Sequence, residues 1–490
     1  ILSGLVGSEM CIRDRHLSPD YKSLMVELLS KHTEMPVNRI EDGVLVQENN
    51  IYLLPPCKNI TLFHRRLLLK EQNHSEGINL PIDIFFRSLA EDMGEYAISI
   101  VLSGTGSDGT RGIRAIKERG GMVMVQDEES AKFDGMPKNA IATGLVDFIL
   151  PPDEMPKQLL AFVKHPYAAV DMVVLPEKDN DITRIFAILR DKNKVDFTYY
   201  KPNTVLRRIE RRMTINQIQS LSDYVSFLEA NPNEISTLFQ ELLIGVTCFF
   251  RDEAAFDELR DKSLKHIVQN RQSDEIRLWV TACSTGEEAY SLAMLLSEYR
   301  ERSGDYFRIK IFATDVDHKA IEKASSGIYP PSIAADVPYQ LLSKYFVHRD
   351  DNYQIVQKIR EMVVFAQHNL IKDPPFTNIS LLSCRNVLIY LQPILQKKIL
   401  EYFNFSLIKG GILMLGTSES IGEMVDYFDL ISPKWKIYRS KGKHNTNSGL
   451  MMSESQLIRG SFNNIAHSPR NNLTYYNDDR VLDRFVRGIA

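Results

Sequence analysis

At 490 residues the chain is too long for one compact core and implies two to four domains. Hydrophobic content of 44% and charged content of 25% are those of an ordinary soluble globular protein, and a formal net charge of −4 supplies no overall field toward nucleic acid or anionic lipid. No apolar run reaches the roughly 18–20 residues needed to span a bilayer. Five scattered cysteines, with no CxxC and no HExxH, argue against a disulfide framework or a metal site and for a reducing, cytoplasmic setting.

Residues 1–15, ILSGLVGSEMCIRDR, lack a secretory pattern and fit poorly with the residues after them; they are read as a non-native segment, and the chain as a fragment cut at both ends. Residues 16–163 alternate strand-like and helix-like stretches. The run YAISIVL (residues 96–102) meets the turn GTGSDG, a helical TRGIRAIKERG comes next, and GMVMV and VDFIL come after it. Strand, loop, helix, strand is the sequence form of a parallel α/β sheet. Residues 164–180 read as a linker. Residues 181–256 are helical in pattern, and in TVLRRIERRM the residues Leu206, Ile209 and Met213 share one face while Arg207, Arg208, Arg211 and Arg212 lie mainly on others.

A second α/β alternation fills residues 257–440. The runs RLWVT, RIKIFA, MVVFA, ISLL, GILML and KWKIY give five or six strands with helices between them, which makes an open doubly wound sheet the expected architecture. Residues 441–490 are read as a flexible tail, with a helix beginning at VLDRFVRGIA.

The strongest local signal is WVTACSTGEEAYSLAM, residues 279–294, in which a buried strand runs through small residues into a helix. Such a loop brings backbone N–H groups to a ligand at the sheet's carboxyl edge. Taken alone it serves equally well to bind a dinucleotide or only as a tight turn. The next strand narrows the choice, because Asp315 stands just beyond its end, where a carboxylate accepts the hydroxyl hydrogens of an adenosine ribose. The alternative is that Asp315 only caps the next helix. The carboxylates Glu287 and Glu288 would repel a diphosphate and suit a sulfonium cofactor bearing an amino group. These features tilt the reading toward S-adenosylmethionine.

Two more motifs complete the set: IGVTCFFRDE (residues 244–253) and LLSCRNVLIYL (residues 381–391). With the CSTGEE loop and the ATD strand end, in this order, the chain over residues 181–440 resembles the chemotaxis receptor methyltransferase family, CheR. The resemblance implies S-adenosylmethionine as cofactor and glutamate side chains of membrane chemoreceptors as substrate. It makes Thr247, Arg251, Glu287, Asp315, Asn369, Leu370, Arg385 and Asn386 cofactor-site residues, and Arg251 and Tyr390 the groups that position the substrate carboxylate. It also implies a receptor-docking face on the basic helix of residues 201–213 and a small β-subdomain within residues 327–359. One departure is Ala282, where the family often has glycine; a positive φ there would lower affinity.

In the front domain, HLSPD (residues 16–20), LPPCKNITL, LPIDIFFRSLAED and VLSGTGSDGTRG resemble the catalytic domain of the chemoreceptor methylesterase family, CheB. The resemblance makes His16 and Asp108 the histidine and aspartate of a serine–histidine–aspartate set. The serine belongs in a glycine-rich strand–loop–helix ahead of the histidine, and Ser8 lacks that setting, so this domain is expected to be hydrolytically inactive in this chain. Two rival functions stay open on sequence alone: a methyltransferase for another substrate, and a non-catalytic module that senses the cofactor or docks on receptors.

Overall fold

A computed structural model describes residues 10–13, 25–72, 79–163, 180–243, 245–271, 273–349 and 352–442. His16, Ser8, Ile244, most of the 164–180 linker and almost all of the 441–490 tail lie outside the described residues.

The front domain is built from small sheets rather than one. Helix α1 (Pro81–Met93) opens on a proline, whose fixed φ suits a first turn. Strand β1 (Ile98–Val101) leads through the GTGSDG turn into helix α2 (Thr110–Glu118), which Gly120 and Gly121 end before strand β2 (Met122–Gln126). Strand β3 (Phe148–Leu150) completes a parallel sheet ordered β1-β2-β3. Every residue of β2 is buried. Val123 and Val125 meet Phe85, Phe86, Ile113 and Ile116 on one face, while Met122 and Met124 meet Met155 and Leu159 on the other. Residues 10–13, assigned above to a non-native segment, form a strand parallel to Asn50–Leu53, with Met10 opposite Asn50 and Arg13 opposite Leu53. The boundary at residue 15 therefore does not mark the edge of this sheet.

Four helices come next: α3 (Asn180–Asn193), α4 (Pro202–Ile215), α5 (Leu221–Ala230) and α6 (Pro232–Leu243). Their core gathers Ile185, Leu189, Val205, Ile209, Met213, Tyr224, Leu228, Leu238 and Leu242. The Ile209–Met213 stripe faces inward, as the periodicity requires. Inside this bundle Glu234 accepts two hydrogen bonds from Arg212, at 2.8 and 2.7 Å, and one from the Tyr224 hydroxyl at 2.9 Å.

The last region carries a seven-stranded sheet. Its strands in chain order are β4 (Glu275–Thr281), β5 (Arg308–Asp315), β6 (Val363–Gln367), β7 (Ile379–Cys384), β8 (Leu407–Leu415), β9 (Phe428–Ser432) and β10 (Ile437–Ser440), and their spatial order is β6-β5-β4-β7-β8-β10-β9. The first five pair parallel; β10 runs antiparallel to both β8 and β9. The expected doubly wound sheet is present, and β9 is a strand the apolar runs did not reveal. Both faces of β4 are covered, which is why RLWVT reads as a continuous apolar run. Leu278 and Val280 pack with Ala289, Leu292 and Leu296 of helix α7 (Glu287–Ser303), and Trp279 packs with Leu395, Ile399 and Phe403 on the opposite face. Between β5 and β6 the chain makes the expected small antiparallel sheet, ordered Ile328–Tyr329, Asn352–Ile355, Phe346–Arg349.

Candidate functional site

The strand order reverses at β4, with β5 on one side and β7 on the other, and the loops leaving these three strands converge at that switch point. The loop after β4 is tightly wound. Ala282, Ser284 and Gly286 all have positive φ (48°, 49° and 91°), and Gly286 is the residue from which α7 starts. A Cβ on Gly286 would stand 2.9 Å from Ala324 Cβ and 3.0 Å from the Phe365 ring, so glycine is required for space as well as for φ. Ala282 does occupy the left-handed region, at a cost of about 1–2 kcal/mol that glycine would not incur.

Asp315, at the end of β5, accepts the Ser284 N–H at 2.8 Å on one oxygen and the Asp317 N–H at 2.9 Å on the other. Asp317 itself caps the next helix by accepting the Lys319 N–H at 3.0 Å. Capping is thus done by Asp317, and Asp315 ties the loops after β4 and β5 together with lone pairs left over for hydroxyl donors. Burial pushes the Asp315 carboxyl up to about 6 against backbone donors that pull it down. Glu287, 5% exposed, accepts the Thr285 hydroxyl, and burial raises its pKa too.

After β7 the chain turns sharply, with Asn386 at φ 58°. The Glu419 carboxylate holds that turn, accepting the N–H groups of Asn386, Val387 and Leu388 at 3.1, 2.7 and 2.7 Å and that of Gly416 at 2.6 Å. Asn386 Oδ1 is buried and has no hydrogen-bond partner among the described residues. Asn369 and Leu370 come after β6; the Asn369 carbonyl oxygen of the side chain accepts the Ile371 N–H at 2.9 Å, and Leu370 packs against the core cluster that includes Trp279.

Arg385 acts as a brace. Its guanidinium donates to Glu288 Oε2 at 3.1 Å, Asp252 Oδ2 at 2.6 Å and the Arg251 carbonyl at 2.8 Å, so it locks residues 251–252 onto the first turn of α7. Glu288 completes the lock by accepting the Ser383 hydroxyl at 2.6 Å. In the sequence Glu288 stands out only for its charge, and Ser383, Asp252 and Glu419, which hold these turns together, do not stand out. The paired glutamates of GEE were one signal, since successive helical residues point about 100° apart and two neighbours serve different partners.

The loop of residues 245–253 lies over this assembly. Ser284 Oγ donates to the Gly245 carbonyl at 3.1 Å, and the Phe250 N–H reaches Ser291 Oγ at 3.0 Å. Thr247 is half-buried in it, and its carbonyl accepts Arg114 of the front domain at 3.1 Å. Arg251 donates to the Val246 carbonyl at 3.2 Å and is ion-paired with Glu118. Burial alone would lower the Arg251 pKa, but the Glu118 carboxylate more than offsets it. Burial, then the charge of Glu118, pushes the Tyr390 phenol up to about 12, with Arg208 and Arg251 opposing. Arg251 and Tyr390 therefore share one electrostatic environment.

The expected docking face on α4 is covered in this structure. Arg208, Arg211 and Arg212 are buried, Arg212 inside the bundle and the other two against the front domain. In the front domain Asp108 is also buried. It accepts the N–H groups of Ile82, Asp83 and Gly109 at 3.1, 3.0 and 2.9 Å, which fixes it at the start of α1.

The residues present suit S-adenosylmethionine: a buried unpartnered amide oxygen, a loop with three positive-φ positions at alternate residues, and carboxylates where ribose and amino groups need acceptors. The comparisons agree. Residues 245–437 match the family described as CheR methyltransferase, SAM binding domain, residues 180–243 match CheR methyltransferase, all-alpha domain, and residues 10–159 match CheB methylesterase. A chemotaxis protein methyltransferase of Vibrio cholerae is 32% identical over 256 residues, covering 51% of this chain and 88% of that protein. One of Borreliella burgdorferi is 31% identical over 250 residues, covering 49% and 88%. A 104.1 kDa protein of Rhodobacter capsulatus is 39% identical over 440 residues; that match takes in 85% of this chain but only 46% of the relative's length. Among solved structures, the Thermotoga maritima CheB methylesterase catalytic domain is similar at 26% identity, 31% of this chain and 82% of that one, with a TM-score of 0.29. The chain belongs to the CheR family of S-adenosylmethionine-binding chemotaxis methyltransferases and carries a CheB methylesterase domain ahead of its CheR part.

Proposed function

We propose that this chain transfers a methyl group from S-adenosylmethionine to glutamate side chains of membrane chemoreceptors, working in the cytoplasm at receptor arrays. The observation that carries the reading is a set of cofactor-suited loops at the β4/β7 switch point together with a guanidinium, Arg251, and a phenol, Tyr390, within electrostatic reach of each other.

The bound cofactor supplies an electrophilic methyl group on a sulfonium. Asp315, Glu287 and Asn386 would hold its ribose and amino groups, with Thr247, Asn369 and Leu370 closing around it. A glutamate with a reference pKa of about 4.3 is already ionised at neutral pH, so no general base is needed. Placement is what remains: Arg251 forks onto the carboxylate, and Tyr390, protonated at any ordinary pH, donates a hydrogen bond that orients it. Arg385 does not touch the acceptor in this scheme; it fixes Arg251's backbone by its bond to the Arg251 carbonyl.

The test incubates the chain with methyl-labelled S-adenosylmethionine and chemoreceptor membranes, beside Asp315→Ala. Base-labile label on receptor glutamates, absent with the variant, is expected. Cofactor binding without label would favour a sensing or docking module instead. For the front domain, the reading is that no methanol is released from methylated receptor by these 490 residues, because Asp108 and His16 lack a serine in a glycine-rich strand–loop–helix ahead of them. Clear ester turnover would overturn it.

A further inference from the structure

The front domain does not merely precede the methyltransferase; it covers the face where the acceptor would enter. Helix α2 and the turn after it lie against α4 and the 245–253 loop through a buried ionic network. Lys117 Nζ sits 2.8 Å from Asp147 and 3.0 Å from Glu241. Arg211 is ion-paired with Asp147, lies 3.4 Å from Glu241 and donates to the Gly120 carbonyl at 3.3 Å. Arg208 lies 3.2 Å from Glu241 and reaches the Lys117 carbonyl at 3.4 Å. All five side chains are less than 10% exposed. Groups this deep are spent on one another, so the arginine face of α4 already has a partner within the same chain. At its rim Arg207 pairs with Glu95 at 3.2 Å, and elsewhere Arg111 pairs with the buried Asp336 at 2.7 Å.

At the end of this contact stands Glu118, the last residue of α2. It is a glutamate presented from the end of a helix, ion-paired with Arg251. That is the same functional group, on the same guanidinium, that the proposed acceptor would offer. Unlike the network beside it, this pair is partly exposed, with side-chain exposures of 21% and 28%, so water and a competing carboxylate can reach it.

Resting on the acceptor site proposed above, we infer that the esterase domain is a built-in cap of that site, with Glu118 holding Arg251 as a stand-in for the acceptor carboxylate. A receptor glutamate gains Arg251 only by displacing Glu118. The cap therefore sets the apparent acceptor affinity, and its contact with the proposed cofactor residues, the Arg114 bond to the Thr247 carbonyl, does not involve Glu118.

The test compares the full chain with its Glu118→Gln and Glu118→Asp variants in label transfer to chemoreceptor membranes, with cofactor binding measured alongside. Glu118→Gln keeps the size and removes the charge; it is expected to lower the acceptor KM about three- to tenfold, with kcat and cofactor affinity within about twofold. Glu118→Asp, which keeps the charge on a shorter arm, is expected to fall between. An unchanged or higher KM in Glu118→Gln, with transfer intact, would overturn the cap alone. Absence of receptor label from all three chains, each binding cofactor, would overturn the acceptor reading and the cap with it.

Discussion

The two halves of the candidate site are held by different means. The cofactor half is made by its own backbone: Asp315 takes N–H groups from two loops, Glu419 takes four from the turn after β7 and the end of β8, and Gly286 makes room for the start of α7. The proposed acceptor half rests on side chains from distant segments, with Arg251 reaching Glu118 across 133 positions of sequence. A half built from backbone donors and short loops is set once the sheet forms. A half built from exchangeable ion pairs changes when a competing carboxylate arrives. Substitutions in the first half should therefore alter cofactor affinity and stability together, whereas those in the second should alter acceptor kinetics alone.

The largest expected effect breaks the cofactor half outright. Gly286→Ala places a methyl group against Ala324 and Phe365 at a positive φ, and should cost about 2–4 kcal/mol of stability and abolish measurable cofactor binding. Thermal melting with titration calorimetry reads both. A smaller effect tests the Asp315 bond set. Its carboxyl stands near 6 in the folded chain against an ordinary 3.8, so the folded state holds an extra proton between those values. The stability tied to that proton is complete below about 4 and lost as pH rises through about 6. Cofactor affinity should move oppositely, rising through pH 6 as the carboxylate ionises and accepts ribose hydroxyls. In Asp315→Asn that pH step should vanish and affinity should sit about tenfold or more below wild type at pH 7.5; a step that persists would place it elsewhere. The smallest effect sharpens the contrast between the halves. Ala282→Gly relieves a positive φ and should stabilise the chain by about 0.5–1 kcal/mol, with a modest gain in cofactor affinity and an unchanged acceptor KM.

Legibility in the sequence divides along the same line. The WVTACSTGEEAY loop, Asp315 after RIKIFA and the doubly wound sheet could all be read, because each rests on residues close together in the chain. Strand β9 could not, since its exposed Asp429 and Leu430 interrupt the burial that marks the inner strands. The roles of Glu288 and Glu419 were hidden because each depends on a partner roughly a hundred or thirty residues away. The basic helix is the clearest case. The family resemblance makes its arginines a docking surface and their pattern alone a solvated face, yet Arg212 turns inward to Glu234 and Arg208 and Arg211 meet Glu241 and Asp147. Charge pattern alone reports that carboxylates are needed, not whether they come from a receptor or from the chain itself.

The sharpest test of the divided site is a paired measurement on Arg251→Lys in the full chain: cofactor dissociation constant by calorimetry and acceptor KM by label transfer. Lysine keeps the charge but loses the planar fork. A divided site predicts an acceptor KM or kcat/KM worse by about tenfold or more, with cofactor affinity within about twofold of wild type. A parallel loss of cofactor affinity of the same size would contradict it, because Arg251 would then belong to the half that Asp315 organises.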